Sequence, residues 1–222
     1  MQSPSPFDHP NLILSEHKAY DALFTKIRDV KTTTPDFVLY SKRLMRLLAE
    51  DTIAALPHRS TIIETPCCPN FEGSSLDVDK ICIVSIVRAG DSLMEAVREC
   101  LPQAHIGKIL IQRDESSELK EPKFYYKKMP QNVESMNIIL CDPMLATGGS
   151  AEAAIRTLKD ECGVALNKIT FSNVISCPEG LKRMSEVYPE VKIITACIDE
   201  KLNDDKYIVP GLGDYGDRFF GT

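Results

Sequence analysis

No stretch of this 222-residue chain strings together the ~18 apolar residues that a membrane-crossing helix needs, so no transmembrane helix is expected. Positive charge is also short. The 26 Lys and Arg stand against 32 Asp and Glu, a net charge of −6, which disfavours nucleic acid or any other polyanion held by bulk electrostatics. The eight cysteines (Cys67, Cys68, Cys82, Cys100, Cys141, Cys162, Cys177 and Cys197) contain no CxxC pair and no Cys/His spacing of the zinc type, and no protein metal site is expected. Several lie inside apolar runs such as ICIV and IILCD, where a reduced thiol serves as a small core residue, so a disulfide framework is not expected either. Histidine is scarce, and His9, His17, His58 and His105 fall away from strand ends, which leaves a histidine base unsupported. The opening MQSPSPFDHPN has neither a basic start nor an apolar core; no secretory signal is expected there, and the cytoplasm is the expected compartment.

What is present is an ordinary globular mixture, 43% hydrophobic and 26% charged. A chain of this size buries roughly 70% of its unfolded surface, and a single domain over 1–222 is expected. Residues 1–14 read as a mobile arm rich in Pro and Ser. Residues 15–66 carry two amphipathic helices, the second with Thr34 as N-cap and Pro35 behind it, and a strand from Arg59. CCPNFEGSS reads as a connector.

From residue 80 the rhythm changes to strand, helix, strand. ICIVSIV (81–87) is apolar on both parities, as suits a strand covered on both faces of a parallel sheet, and it ends at Arg88-Ala89-Gly90. GKILIQRDE repeats the design with Arg113 near its end, and EPKFYYKKMP can pair back on it as an antiparallel arm. A helix over 151–162, a strand in KITFSNVIS, a helix from Pro178 and a strand in EVKIITACID follow. The alternation predicts an α/β fold with a mostly parallel central sheet flanked by helices, with residues 80–199 as its core.

The chemistry gathers in residues 136–151, MNIILCDPMLATGGSA. An apolar strand passes one carboxylate, Asp142, and reaches Thr147, Gly148, Gly149 and Ser150 before a helix begins. Two adjacent glycines let successive N–H groups converge on one anion, the hydroxyls add donors, and the helix start contributes unpaired amides and the positive dipole end. There is no GxxxxGK[ST] loop and no GxGxxG fingerprint. On these residues alone, phosphate binding and a plain strand-to-helix loop are both open.

As a whole, CDPMLATGGS resembles the motif for 5-phosphoribosyl-1-pyrophosphate (PRPP) in type I phosphoribosyltransferases, in the form used by uracil phosphoribosyltransferases. Most relatives carry two adjacent acids where this chain has Asp142 then Pro143. The tail YIVPGLGDYGDRFFGT is similar to the family's uracil-binding segment, although many bacterial members have Ala at the position of Tyr215. The likeness is dense from about residue 80 onward and thin before it, limited to ETP and FEG.

This resemblance implies joining of uracil to PRPP in pyrimidine salvage, giving UMP and pyrophosphate, with magnesium held mainly through PRPP and water. It assigns PRPP binding to Arg88, Arg113, Asp142, Pro143, Met144, Leu145, Ala146, Thr147, Gly148, Gly149, Ser150 and Asp214. Uracil contacts fall to Ile208, Gly213, Asp214 and Tyr215 in a hood spanning 200–222, and catalysis to Asp214, Arg88 and Arg113. A homodimer or homotetramer is implied, and GTP binding is open. The alternatives are a regulator that senses PRPP or nucleotide without turnover, and a transferase for another base.

Overall fold

A computed structural model describes residues 9–113 and 122–222, and the side chains of 112, 113, 122 and 123 lie outside what it describes. The chain runs β1 (Leu12–Leu14), α1 (Tyr20–Arg28), α2 (Thr34–Ala54), β2 (Arg59–Thr65), β3 (Cys68–Ser75), β4 (Ile81–Val87) and α3 (Gly90–Cys100). It continues through β5 (His105–Arg113), β6 (Pro122–Lys128), β7 (Asn137–Cys141), β8 (Met144–Leu145), α4 (Gly149–Arg156), β9 (Ile169–Ser176) and α5 (Pro178–Val187). It closes with β10 (Lys192–Ile198), β11 (Lys201–Leu202), β12 (Ile208–Val209) and α6 (Tyr215–Phe220).

One sheet organises the molecule, in the order β1-β10-β9-β7-β4-β5-β6, with β8 also on β9. Every pairing in it is parallel except β5 with β6, so the expected mostly parallel sheet and antiparallel arm are both there. Alternation along each strand builds two cores. Ile83 and Ile139 face one layer with Phe37, Leu44, Leu48, Leu93 and Val97 of the helices α2 and α3. Their neighbours Val84, Ile138 and Leu140 face the other layer with Ile155 of α4 and Leu181 and Met184 of α5. Strands buried on both faces are why these runs have no polar parity.

Several boundaries differ from expectation. Residues 12–14 belong to no arm: Leu12, Ile13 and Leu14 pair with Ile193, Ile194 and Thr195 at the sheet edge, and residues 1–8 lie outside the described residues. The cap of α2 is Thr33, one residue early, with its side chain accepting from Asp36 N–H at 3.4 Å and Pro35 in the first turn. CCPNFEGSS is mostly strand: Cys68–Ser75 pairs antiparallel with β2. The strand expected from Arg59 is the first arm of this hairpin, β2, while no apolar alternation announces the second, and both faces are wet, with Ile62 71% and Phe71 51% exposed. Its turn needs no glycine, since Thr65 Oγ1 accepts from the N–H of Cys67 and of Cys68 at 3.3 and 2.9 Å. The helix expected over 151–162 is α4, which starts two residues earlier and passes at Thr157–Glu161 into a π-turn. All eight cysteines are free, and Cys82, Cys141, Cys177 and Cys197 are buried. No helix among the described residues is long and apolar enough to cross a membrane.

Candidate active site

Parallel strands deliver their C-terminal ends to one edge of the sheet, and beyond that edge lies a cavity of about 650 Å³. Three segments supply most of its wall, with Ile111 of β5 beside them. The β4–α3 loop contributes Arg88 and Ala89, the stretch after β7 contributes Asp142 and residues 144–151, and the tail contributes residues 206–208 and 213–216.

The 142–151 wall is shaped by close backbone approaches. Gly148 has φ +80°, a conformation in which any Cβ is strained, and it opens α4 without a side-chain cap. Gly148 supplies no side-chain cap to α4, which leaves its first amides to Thr147 or to an anion. Gly149 N–H bonds Thr147 Oγ1 at 3.4 Å. From below, Gly180 of α5 lets that helix touch the loop: a Cβ there would stand 2.4 Å from the Ala146 carbonyl oxygen. Gly90 does the same between walls, since its Cβ would meet the Cys141 carbonyl oxygen at 2.3 Å. Asp142 Oδ1 accepts from Met144 N–H at 3.5 Å.

Pro143 departs from the expectation. It does not line the cavity; its carbonyl accepts from the N–H of Val174 and Ile175 at 2.9 and 3.0 Å, which fastens the loop to β9. Leu145 is buried, and its carbonyl accepts from Cys177 N–H at 3.2 Å. Leu145 and the remaining residues of 142–150 sit on the cavity wall.

Arg88 projects across the mouth toward the tail. Its Nη2 donates to Asp217 Oδ1 at 2.6 Å, its Nη1 to Thr222 Oγ1 at 3.0 Å, and its guanidinium lies over the Phe220 ring at 5.3 Å. The hydrogen bond from Arg88, followed by that from Thr222, holds the Asp217 carboxyl below the usual carboxylate range. Arg113 ends β5, paired with Pro122 of β6; its side chain lies outside the described residues.

Ile208, Gly213, Asp214 and Tyr215 all line the same cavity as residues 142–151. Gly213 has φ +81°, and Asp214 caps α6 by accepting from Asp217 N–H at 2.9 Å. Tyr215 reaches the wall without its hydroxyl. That group accepts from Ser92 Oγ at 3.2 Å and contacts Met45 Sδ at 3.4 Å, while the ring packs on Phe37 and Phe219. Burial pushes the phenol up to about 12. An aromatic at this position thus serves the helical layer.

Lys206 and Tyr207 also line the cavity, and sequence reasoning passed over them. Lys206 has φ +68° in the turn between β11 and β12, where its N–H bonds the Asn203 carbonyl at 3.0 Å. The signal was the turn-forming run Asn203-Asp204-Asp205 just before it.

A glycine turn at the end of a parallel strand, an uncapped helix start, and an arginine loop facing it define an α/β enzyme class that grips phosphorylated substrates. The fold alone is shared, at 14% identity and a TM-score of 0.56, with the solved adenine phosphoribosyl transferase of Trypanosoma brucei in complex with AMP, pyrophosphate and ribose-5-phosphate, over 92% of this chain and 89% of that one. The family model described as Uracil phosphoribosyltransferase matches residues 14–222, and the chain belongs to that family. The match therefore extends far in front of residue 80, where the motifs become dense. The chain is 45% identical to the uracil phosphoribosyltransferase of Saccharomyces cerevisiae over 98% of this chain and 99% of that protein. The solved AQ2163 protein of Aquifex aeolicus superimposes with a TM-score of 0.82 at 31% identity, covering 95% and 98% of the two chains.

Phosphoribosyltransferases generally use magnesium with PRPP. Asp142 and Asp214 are the carboxylates on the cavity wall, and among the described residues no three His, Cys, Asp or Glu side chains gather as a metal cage. Two carboxylates fit an ion that arrives on pyrophosphate and keeps most of its water.

Proposed function

We infer that the protein transfers the 5-phosphoribosyl group of PRPP to uracil, releasing pyrophosphate and forming UMP. The observation that carries this reading is the shared cavity: the glycine turn at 147–150 and the tail loop at 208–215 face the same space of about 650 Å³. A sugar phosphate and a base joined to one carbon need such opposed walls.

In this reading the amides that open α4, with the hydroxyls of Thr147 and Ser150, receive the 5-phosphate. Asp142 accepts from the ribose hydroxyls. Arg88 and Arg113 hold the pyrophosphate, whose two phosphates suit a forked guanidinium, and Lys206 adds positive charge on the tail side. To do this Arg88 exchanges Asp217 and Thr222 for phosphate oxygens. Magnesium would neutralise charge on the leaving pyrophosphate, held by Asp142 and Asp214 through water.

The reaction breaks the bond from ribose C1 to a pyrophosphate oxygen and forms one from C1 to uracil N1, and the N1 proton departs. Positive charge grows on the ribose between the two events. Asp214 lines the cavity beside the proposed base loop, and in this reading its carboxylate stabilises that charge or receives the proton. Uracil offers acceptor, donor and acceptor along O4, N3 and O2, which backbone groups of a glycine-rich loop can match. Cytosine sets a donor against a donor at position 4, at a cost of about 1–3 kcal/mol for the buried group left unpaired.

Mixing the purified protein with PRPP, magnesium and each nucleobase in turn, and measuring pyrophosphate release, tests the reading. Release is expected with uracil and not with cytosine, adenine or guanine. Binding of PRPP without release would make the protein a regulator on this fold, and release with another base would make it a different transferase.

A further inference from the structure

The tail that reads the base does not hold its own shape. It turns at Gly211, whose φ is +60° and whose Cβ, if present, would lie 2.0 Å from the Ile208 carbonyl oxygen. Both polar atoms of Gly211 are captured from outside the tail. Its N–H donates to Asp199 Oδ2 at 2.9 Å, and its carbonyl accepts from Arg28 Nη1 at 2.7 Å. Arg28 and Asp199 also grip each other with two parallel bonds, Nη1 to Oδ2 at 2.8 Å and Nη2 to Oδ1 at 2.6 Å. The Asp199 side chain is 4% exposed and that of Arg28 22%.

A second arginine closes the join from the other side. Arg218 of α6 donates to the Leu212 carbonyl at 2.7 Å, to the Ile27 carbonyl, and to the Asp29 carbonyl at 2.7 Å, with its guanidinium 4.3 Å above the Phe37 ring. Two successive tail residues, 211 and 212, are thus tied to the end of α1. Ile208 and Gly213 flank them and line the cavity.

We propose that Arg28 and Asp199 are positioning residues for base recognition: the buried pair sets the turn at Gly211 and thereby the backbone that Ile208 and Gly213 present to uracil. Neither residue lines the cavity. A desolvated ion pair is weak evidence for stability, because removing two charges from water costs about as much as their attraction returns. What this one adds is direction. A forked guanidinium and a carboxylate fix a peptide group from two sides, which a hydrophobic pair of equal volume does not do. This inference rests on the uracil-transfer reading given above and extends it to a helix outside the site.

Steady-state kinetics of R28Q and D199N test it, with uracil and PRPP varied separately and cytosine offered as a competing base. KM for uracil is expected to rise by about tenfold or more, the effect of losing one hydrogen bond to a charged group, with KM for PRPP changed less than about twofold. Pyrophosphate release with cytosine, not expected from the unmodified protein, should appear in these variants as discrimination is lost. R28K, which keeps the charge but not the fork, should lie between, and it takes over as the measured variant if R28Q does not fold. An unchanged KM for uracil in the folded variants, or an equal rise in both KM values, overturns the proposal and leaves the pair a structural brace. Failure of the unmodified protein to release pyrophosphate with uracil would instead overturn the reading on which the inference rests.

Discussion

The two walls of the cavity are built on different principles. The wall proposed here for the phosphate comes from one stretch: Asp142 and residues 144–151 lie within ten positions of one another, and the glycine turn, hydroxyls and helix start occupy positions set by local backbone geometry. The wall proposed for the base is assembled from a distance. Gly211 takes a hydrogen bond from Arg28, 183 positions away in sequence, and Tyr215 anchors against Met45, 170 away. A phosphate is a compact anion that a single turn can surround. A planar base must be met by groups in one plane, and a loop rich in glycine needs outside bracing to hold one.

Three substitutions sharpen that contrast. Asp214→Asn keeps the cap on α6, because Asn caps as well as Asp, but removes the charge. If Asp214 acts on the reaction, kcat should fall by about 100-fold or more with Tm unchanged; equal turnover would remove it from the chemistry. Gly180→Ala attacks only the phosphate wall, since its Cβ would press on the carbonyl oxygens of Ala146 and Leu145 at 2.4 and 2.9 Å. KM for PRPP should rise by about tenfold while KM for uracil holds, the reverse of the pattern expected at Arg28. A parallel rise in both would show that the walls are not independent.

The smallest effect concerns Asp217. Its carboxyl is held below its ordinary value of 3.8 by Arg88 and then Thr222, so the contact adds stability above that value and loses it as pH falls through the lower folded one. The Tm difference between the natural chain and D217N should therefore be constant from neutral pH to about pH 5 and vanish in stronger acid. A difference that grows on acidification would contradict the ion pair. Because Asp217 is exposed, salt should shrink the difference as well.

Legibility followed the same division. The runs 81–87 and 138–141 announced buried parallel strands because both of their faces are covered. Thr147 to Ser150 marked the strand-to-helix turn on the cavity wall, because two adjacent glycines and the helix start lie within a few residues. The strand from Arg59 is β2 as expected, but its partner β3 reads as a connector in sequence, because CPNFEGSS is rich in turn formers and buries almost none of its side chains. Pro143 was assigned to the substrate through the motif, yet its carbonyl is spent on β9, a partner that only strand order supplies. Lys206 reached the cavity through a turn whose direction depends on the ribbon behind it.

By itself, then, the sequence determined the sheet, the helical layers and the glycine turn, because each is written in periodicity or in backbone freedom over short spans. Tertiary structure alone decided that Arg28 would brace a loop at the far end of the chain, and that Tyr215 would turn its hydroxyl into the core. Such contacts depend on where distant elements come to rest, and an arginine on an amphipathic helix looks the same in sequence whether it meets water or a buried carboxylate.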